Sequence, residues 1–299
     1  MSVVIVNPSS AGGSTGEAWP QIASDLRSQF GAFSPFFTKH RGDAAAIAGE
    51  AARKGAKLII ACGGDGTVSE VANGILSSGK DVELGILPSG TGGDFRRTLE
   101  IPSHSRTAAR ALKTGRTVRI DVGRVSFVDH NGADAMRYFL GVASCGMSTK
   151  VIERVKADKI SFASSLLQTA MRTEPIRLVV QLDDSHERQV VVSNLCIANA
   201  RYFGGGMKIA PDAKLTDGKF DVVGVGDLST LKLFTSAPRV YLGAHLSMPE
   251  VSHALARKVT VRPADRGAEV ALEIDGELPG KLSATFQIIP EALRVRVNV

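Results

Sequence analysis

Over the first ~120 residues, short apolar runs at 3–6, 36–37 and 58–62 alternate with apolar positions at helical spacing, Ile22/Leu26/Phe30 and Ile47/Ala48/Ala51. That rhythm predicts βαβ units and a parallel sheet covered by helices. After Asp121 the pattern changes. Runs at 137–143, 176–182, 189–198, 220–225, 259–261 and 270–274 are mostly rich in β-branched residues and bounded by turns. They predict a β-rich, antiparallel, sandwich-like second domain. Helical spacing returns at 161–171 and again at 229–246. The expected organisation is an α/β domain over residues 1–121 followed by the β-rich domain over 122–292.

With 43% hydrophobic and 22% charged residues in 299, the composition is that of a globular chain and excludes disordered and fibrous classes. The first residues lack the basic and apolar regions of a secretory signal, and no apolar run approaches the ~20 residues a membrane span needs. A cytoplasmic protein is the expectation. Cys62, Cys145 and Cys196 are odd in number, far apart and set in apolar stretches, which predicts buried thiols in place of disulfides or a metal site. A formal charge of +6 favours an anionic partner: a nucleotide, a nucleic acid or an acidic membrane surface. With only three Tyr and one Trp, and no stacking-aromatic module or recognised fold behind it, nucleic-acid binding is not expected.

The strand at 58–62 runs into Gly63-Gly64-Asp65-Gly66-Thr67, after which Val68, Val71, Ala72, Ile75 and Leu76 recur on one helical face. Thr67 and Glu70 have the spacing of a capping box that would start this helix. A helix start behind glycines offers free N–H donors and a positive dipole end to phosphate oxygens. Asp65 would repel a phosphate unless a cation intervened, which suggests Mg²⁺ shared with a nucleotide. The same residues also suit a plain strand-to-helix turn.

Gly63–Thr67 resembles the motif shared by the diacylglycerol kinase catalytic-domain family, sphingosine kinases, NAD kinases and, in variant form, phosphofructokinases. Further motifs point to the bacterial diacylglycerol kinase-like lipid kinases. Asn7-Pro8-Ser9-Ser10-Ala11-Gly12-Gly13 is similar to that family's Asn-Pro-x-(Ser/Ala)-Gly opening, with one extra residue before the first Gly. Thr38 resembles the family Thr at the end of strand two. Pro88-Ser89-Gly90-Thr91-Gly92-Gly93-Asp94-Phe95-Arg96-Arg97 is similar to Pro-x-Gly-Thr-x-Asn-Asp-Phe-Ala-Arg, with Gly93 and Arg96 replacing the usual Asn and Ala. The segment from Asn199 through Gly204-Gly205-Gly206-Met207 to Ala210-Pro211 and Asp217-Gly218 resembles the lipid-kinase pattern almost without interruption, and NAD kinases do not carry it.

The resemblance implies an ATP-dependent lipid kinase with a nucleotide-binding first domain, to which the last strand, 293–299, returns, and an active site between the domains. It implies nucleotide contacts at Asn7, Thr38, Gly63, Gly64, Asp65, Gly66, Thr67, Val68, Ser69 and Thr91, and a substrate-lining role for Asp94 and Arg97. It implies a Mg²⁺ held by Asp217 and the carbonyls of Lys214 and Lys219, although Asp217-Gly218 by itself is also a turn. Asp275-Gly276-Glu277 reads first as a hairpin turn; the resemblance makes Asp275 the general base and Glu277 its helper, with Asp65 serving the reaction through the metal. The implied cofactors are ATP and Mg²⁺. Lys150, Arg154, Lys156 and Lys159 precede Phe162, Leu166 and Leu167, and Arg172 follows, a pattern suited either to an anionic membrane surface or to a solvated face. The expected partners are a lipid substrate and such a membrane, approached peripherally; a homodimer is compatible. Two rivals stand beside this reading: an NAD kinase-like enzyme, which the Gly204–Gly218 segment opposes, and a non-catalytic nucleotide- or lipid-binding regulator. The acceptor lipid is not identified by any motif.

Overall fold

The computed structural model describes residues 2–89, 93–158, 174–227 and 230–298. Thr91, the expected helix at 161–171 and the membrane-suited positions from Lys159 to Arg172 lie outside them. The chain divides into two compact units, Met1–Val122 with Pro290–Val299, and Gly123–Ile289.

The first unit alternates β1 (Ser2–Val6), α1 (Ser14–Phe30), β2 (Ser34–Phe37), α2 (Asp43–Arg53), β3 (Leu58–Gly63), α3 (Asp65–Ser77), β4 (Glu83–Pro88), α4 (Asp94–Thr98), α5 (Ser105–Thr114) and the start of β5 (Arg116–Asp129). The strands are parallel in the order β4-β3-β1-β2. Val4, Val6, Leu58, Ile60, Cys62 and Leu87 pack against Leu26 of α1 and Leu112 of α5. α2 and α3 pack together. On α3, Val68, Val71, Ala72 and Ile75 are buried, as one stripe of a 3.6-residue period should be. Each fully buried Val or Ile side chain contributes about 1.5–3 kcal/mol. β2 is the edge strand, and Phe37 meets Trp19 edge-on at 5.5 Å.

The second unit contains β6 (Asp134–Phe139), β7 (Val142–Gly146), α6 (Met147–Asp158), β8 (Ile176–Leu182), β9 (Arg188–Val192), β10 (Asn194–Ala198), β11 (Phe220–Val225), α7 (Thr230–Leu242), β12 (Val251–Ala256), β13 (Lys258–Pro263), β14 (Ala271–Ile274) and most of β15 (Glu277–Val297). β12, β11, β10, β7 and β14 pair in that order; β9, β8, β13 and β15 form a second antiparallel series. Phe139, Phe220 and Phe286, from three different strands, meet in the core, with ring centroids 5.6 and 6.2 Å from Phe139. All three cysteines are buried thiols; burial pushes Cys62 and Cys145 up to about 12.

Two expected strands are broken. The run at 137–143 divides into β6 and β7 because Leu140 and Gly141 turn their N–H groups to a carboxylate instead of a strand partner. The run at 189–198 divides at Ser193 because β9 pairs with β8 whereas β10 pairs with β7 and β11. An apolar pattern cannot report a change of partner.

In the first unit, Arg294 and Val295 of β15 pair in parallel with Glu83 and Leu84 of β4. A bidentate ion pair fixes this return: Arg296 Nε and Nη2 donate to Glu83 at 2.8 and 2.6 Å, and the Thr117 hydroxyl donates to the same carboxylate. Burial pushes Glu83 up, but these bonds outweigh it and hold its carboxyl below the usual range. Arg296→Met should therefore destabilise the fold by about 3 kcal/mol, since it strands a buried charge. The contribution of Glu83 is complete above its unfolded pKa of ~4.3 and lost as pH falls through the lower folded value. Urea unfolding followed between pH 3 and 7 should show a smaller acid loss in Glu83→Gln than in wild type.

Candidate active site

The parallel strands of the first unit end in loops whose side chains interlock. Between β1 and β3 the strand order reverses, the position where open α/β sheets bind ligands beyond their carboxyl ends. There Asn7 Nδ2 donates to Thr67 Oγ1 at 3.0 Å, and Asn7 Oδ1 accepts from the Ser9 N–H at 3.1 Å. Ser10 Oγ accepts from the Gly64 N–H at 3.4 Å and lies 3.5 Å from Thr67 Oγ1. Thr15 of α1 meets Ser89, just after β4, hydroxyl to hydroxyl at 2.7 Å. Thr38 is half-buried just beyond β2, its N–H donating to the Val6 carbonyl at 2.9 Å. The loop after β1 is thereby laced to the first turn of α3.

The glycines of that turn differ in purpose. A Cβ on Gly63 would lie 2.5 Å from Thr67 Oγ1, so packing excludes any side chain. A Cβ on Gly64 or Gly66 would meet nothing within 4 Å, and neither residue has a left-handed φ. Neither crowding nor backbone shape calls for glycine there. What the two provide is close access from outside to the start of α3, where the N-cap residue, Gly64, has no side chain of its own to cap the helix. Val68 and Ser69 are buried on the helix.

The expected capping box is not formed. α3 begins at Asp65 with Gly64 as its N-cap, so Thr67 already lies inside the first turn and its hydroxyl is bonded to Asn7. Glu70 reaches across to the preceding helix, accepting the N–H groups of Gly42 and Ala44 at 3.0 and 3.2 Å, and so caps α2. Asp65 likewise caps α4, accepting the N–H groups of Asp94 and Phe95 at 2.9 and 3.2 Å. Asp94 in turn holds Arg97 Nη1 at 2.7 Å. The two departures from the family pattern are coupled, because a Cβ on Gly93 would sit 2.8 Å from Arg96 Nε. The arginine that replaces the usual Ala occupies the space the usual Asn would need.

In the second unit the turn joining β14 to β15 places Asp275 and Gly276 at φ 48° and 81°, both left-handed, the type I′ geometry that Asp-Gly favours. Both Asp275 oxygens accept backbone N–H groups, from Leu140 at 3.0 Å and Gly141 at 2.9 Å. A Cβ on Gly141 would lie 2.9 Å from Asp275 Oδ1. From the other side, Asn199 Nδ2 donates to the Leu140 carbonyl at 3.0 Å, and the N–H groups of Asn199 and Ala200 donate to Gly141 at 2.9 and 3.1 Å. The Leu140–Gly141 pair therefore joins the Asn199 segment to Asp275. Glu277 is ion-paired with Arg137, Nη1 to Oε2 at 2.5 Å, both less than a fifth exposed. Sequence reading did not single out Arg137, Leu140 or Gly141; the available signal was an isolated glycine inside a strand pattern.

Gly204, Gly205 and Gly206 all have left-handed φ and bend the chain so that Phe203 and Met207 pair at 2.9 and 3.0 Å. Farther along the same loop Asp217 is exposed, its carboxylate accepting the Lys219 N–H at 3.1 Å. Burial pushes the carboxyl of nearby Asp221 up; the bond to His253 at 2.7 Å opposes this, and Asp217 and Asp212 add to it. Negative potential of this kind favours a cation. Among the described residues no three His, Cys, Asp or Glu side chains converge as a metal cage, so a cation here would take one carboxylate with main-chain carbonyls and water, a donor set that suits Mg²⁺.

The diacylglycerol kinase catalytic domain family model matches residues 1–125, and the YegS C-terminal NAD kinase beta sandwich-like domain model matches residues 141–297. A diacylglycerol kinase of Mycobacterium tuberculosis is 31% identical over 278 residues, 86% of each chain. One from Staphylococcus haemolyticus is 29% identical over 290 residues, 95% of this chain and 84% of that one. Two solved Bacillus anthracis structures share the fold over 99% of this chain and 95% and 96% of theirs, with TM-scores of 0.81 and 0.74 at 24% and 22% identity. The second of them is described as a diacylglycerol kinase.

Replacing Glu70 with Ala should cost about 1–3 kcal/mol by leaving the N–H groups at the start of α2 without their charged acceptor. Denaturant unfolding would show it, and amide exchange should quicken at Gly42 and Ala44 first.

Proposed function

Because the chain belongs to the diacylglycerol kinase family, phosphotransferases with an alcohol group as acceptor, we propose that it transfers the γ-phosphate of ATP to the hydroxyl of a diacylglycerol-like or sphingoid-like lipid. The observation that carries this reading is the start of α3: a helix end with glycine at its N-cap, fronted by Gly64 and Gly66 open to the outside and braced from behind by Asn7 and Ser10. Phosphate oxygens fit such an end through backbone N–H donors and the helix dipole.

In this reading Asn7, Thr38 and the Gly63–Thr67 turn hold the nucleotide, with Thr91 beside it. Asp65, with one lone pair of each oxygen engaged by α4, would hold a Mg²⁺, which would neutralise phosphate charge. Arg97, oriented by Asp94, would line the substrate side of the site together with it. Asp275, both of whose oxygens are pinned by Leu140 and Gly141, takes the hydroxyl proton as that oxygen attacks the γ-phosphorus. Glu277, neutralised by Arg137, supports the turn. Asp217 with the carbonyls of Lys214 and Lys219 would hold a second Mg²⁺, which would stiffen their loop. The formal charge of +6 fits a protein that meets its lipid at an anionic membrane surface; no described helix is long and apolar enough to cross one.

Incubation with radiolabelled ATP and a panel of diacylglycerol, monoacylglycerol, sphingosine, ceramide and NAD, followed by chromatography, should label a lipid. Label in NAD alone, or in nothing, would defeat the proposal. Asp275→Asn should lower turnover by about 10²–10⁴-fold while ATP affinity stays within about two-fold. Mg²⁺ titration in the absence of nucleotide should raise the melting temperature of the wild type and leave that of Asp217→Ala unchanged.

A further inference from the structure

The geometry points to Glu273 as a positioning residue for the turn that carries Asp275, a role that rests on the assignment of Asp275 as the base. Leu272 and Ile274 face the sandwich core. Glu273, between them on β14, faces the opposite side, where α6 packs, and is fully buried. An apolar side chain would satisfy such a place. A carboxylate there costs several kcal/mol to desolvate unless donors surround it.

The donors are present. Ser144, directly opposite on β7, gives its hydroxyl to Oε2, and the Gly276 N–H donates to Oε1 at 2.6 Å. Ser148 Oγ, in the first turn of α6, lies 2.7 Å from Ser144 Oγ and 2.9 Å from Asn194 Oδ1, which also accepts the Ser148 N–H at 3.0 Å. A polar chain thus runs from the base of α6 to the peptide that follows Asp275.

That peptide needs holding. A non-glycine residue in the left-handed region costs about 1–2 kcal/mol and persists only where its surroundings over-determine it. At Asp275 the Leu140 and Gly141 N–H groups fix the carboxylate, and the Val142 carbonyl fixes the N–H at 3.1 Å. Rotation of the Asp275–Gly276 peptide would exchange one primed turn for the other and loosen the backbone from which the carboxylate projects. The Gly276–Glu273 bond blocks that rotation. Glu273 touches no reacting atom; it acts through the backbone.

The test uses the full chain with dioleoylglycerol in mixed micelles as acceptor. Glu273→Met keeps volume but removes the acceptor; Glu273→Gln keeps an acceptor oxygen for Gly276. In the Met variant kcat should fall about 10- to 100-fold with the KM for ATP within about two-fold, and Gln should restore kcat to within about three-fold of wild type. Amide exchange over residues 274–278 should quicken in Met and not in Gln. Full kcat in Glu273→Met, a Gln variant as slow as Met, or unchanged exchange in the Met variant would each overturn the role. Should the Met variant fail to fold by circular dichroism, Ser144→Ala replaces it, with faster 274–278 exchange expected and unchanged exchange refuting. Asp275→Asn separates the two claims: activity in that variant defeats the base itself. Its inactivity beside a fully active Glu273→Met defeats only the positioning.

Discussion

Carboxylates that grip backbone N–H groups hold the loops of this protein in shape. Asp65 holds the start of α4, Glu70 the start of α2, Asp275 the Leu140–Gly141 break, and Glu273 the turn beyond it. Asp121 takes the N–H of Glu291, and Asp183 those of Arg257 and Lys258. Each such bond is charge-assisted and satisfies a donor that secondary structure leaves over. Loops that present chemistry are irregular, so their backbone donors have no ladder to enter. An acidic side chain supplies the missing acceptor and fixes the loop in the same step.

One consequence concerns the residues with proposed chemical roles. Asp65 and Asp275 both have each oxygen bonded once to backbone. A carboxylate restrained in this way does not need to be ordered when a substrate arrives. Glu277 and Asp94 reach the equivalent condition through arginines.

A second consequence is that neighbouring motifs are mechanically joined. Asn7 and Thr67 are sixty residues apart in the chain and share a hydrogen bond, so the opening loop and the glycine turn move together. Asn199 and Asp275 meet through Leu140 and Gly141, a pair with no motif of its own. At position 93 a side chain would meet the Arg96 guanidinium as it lies here, so the two departures from the family pattern are neighbours in space.

Alternating apolar runs and helical stripes determined the fold class, because burial periodicity is local: the stripe on α3 and the buried strand before it read directly from residues 58–76. The family followed from glycine and acidic motifs whose spacing is likewise local. Only the tertiary structure decided which partner each polar group takes. Glu70 stands three residues from Thr67 and still bonds to α2, and Glu273 looks like one more strand position until Ser144 and Gly276 converge on it. The run at 137–143 is unbroken in its hydrophobicity and broken in its hydrogen bonds. Hydrophobic burial depends on where a residue lies along its own element, whereas a hydrogen bond depends on what the rest of the chain brings to it, and that is absent from any window of the sequence.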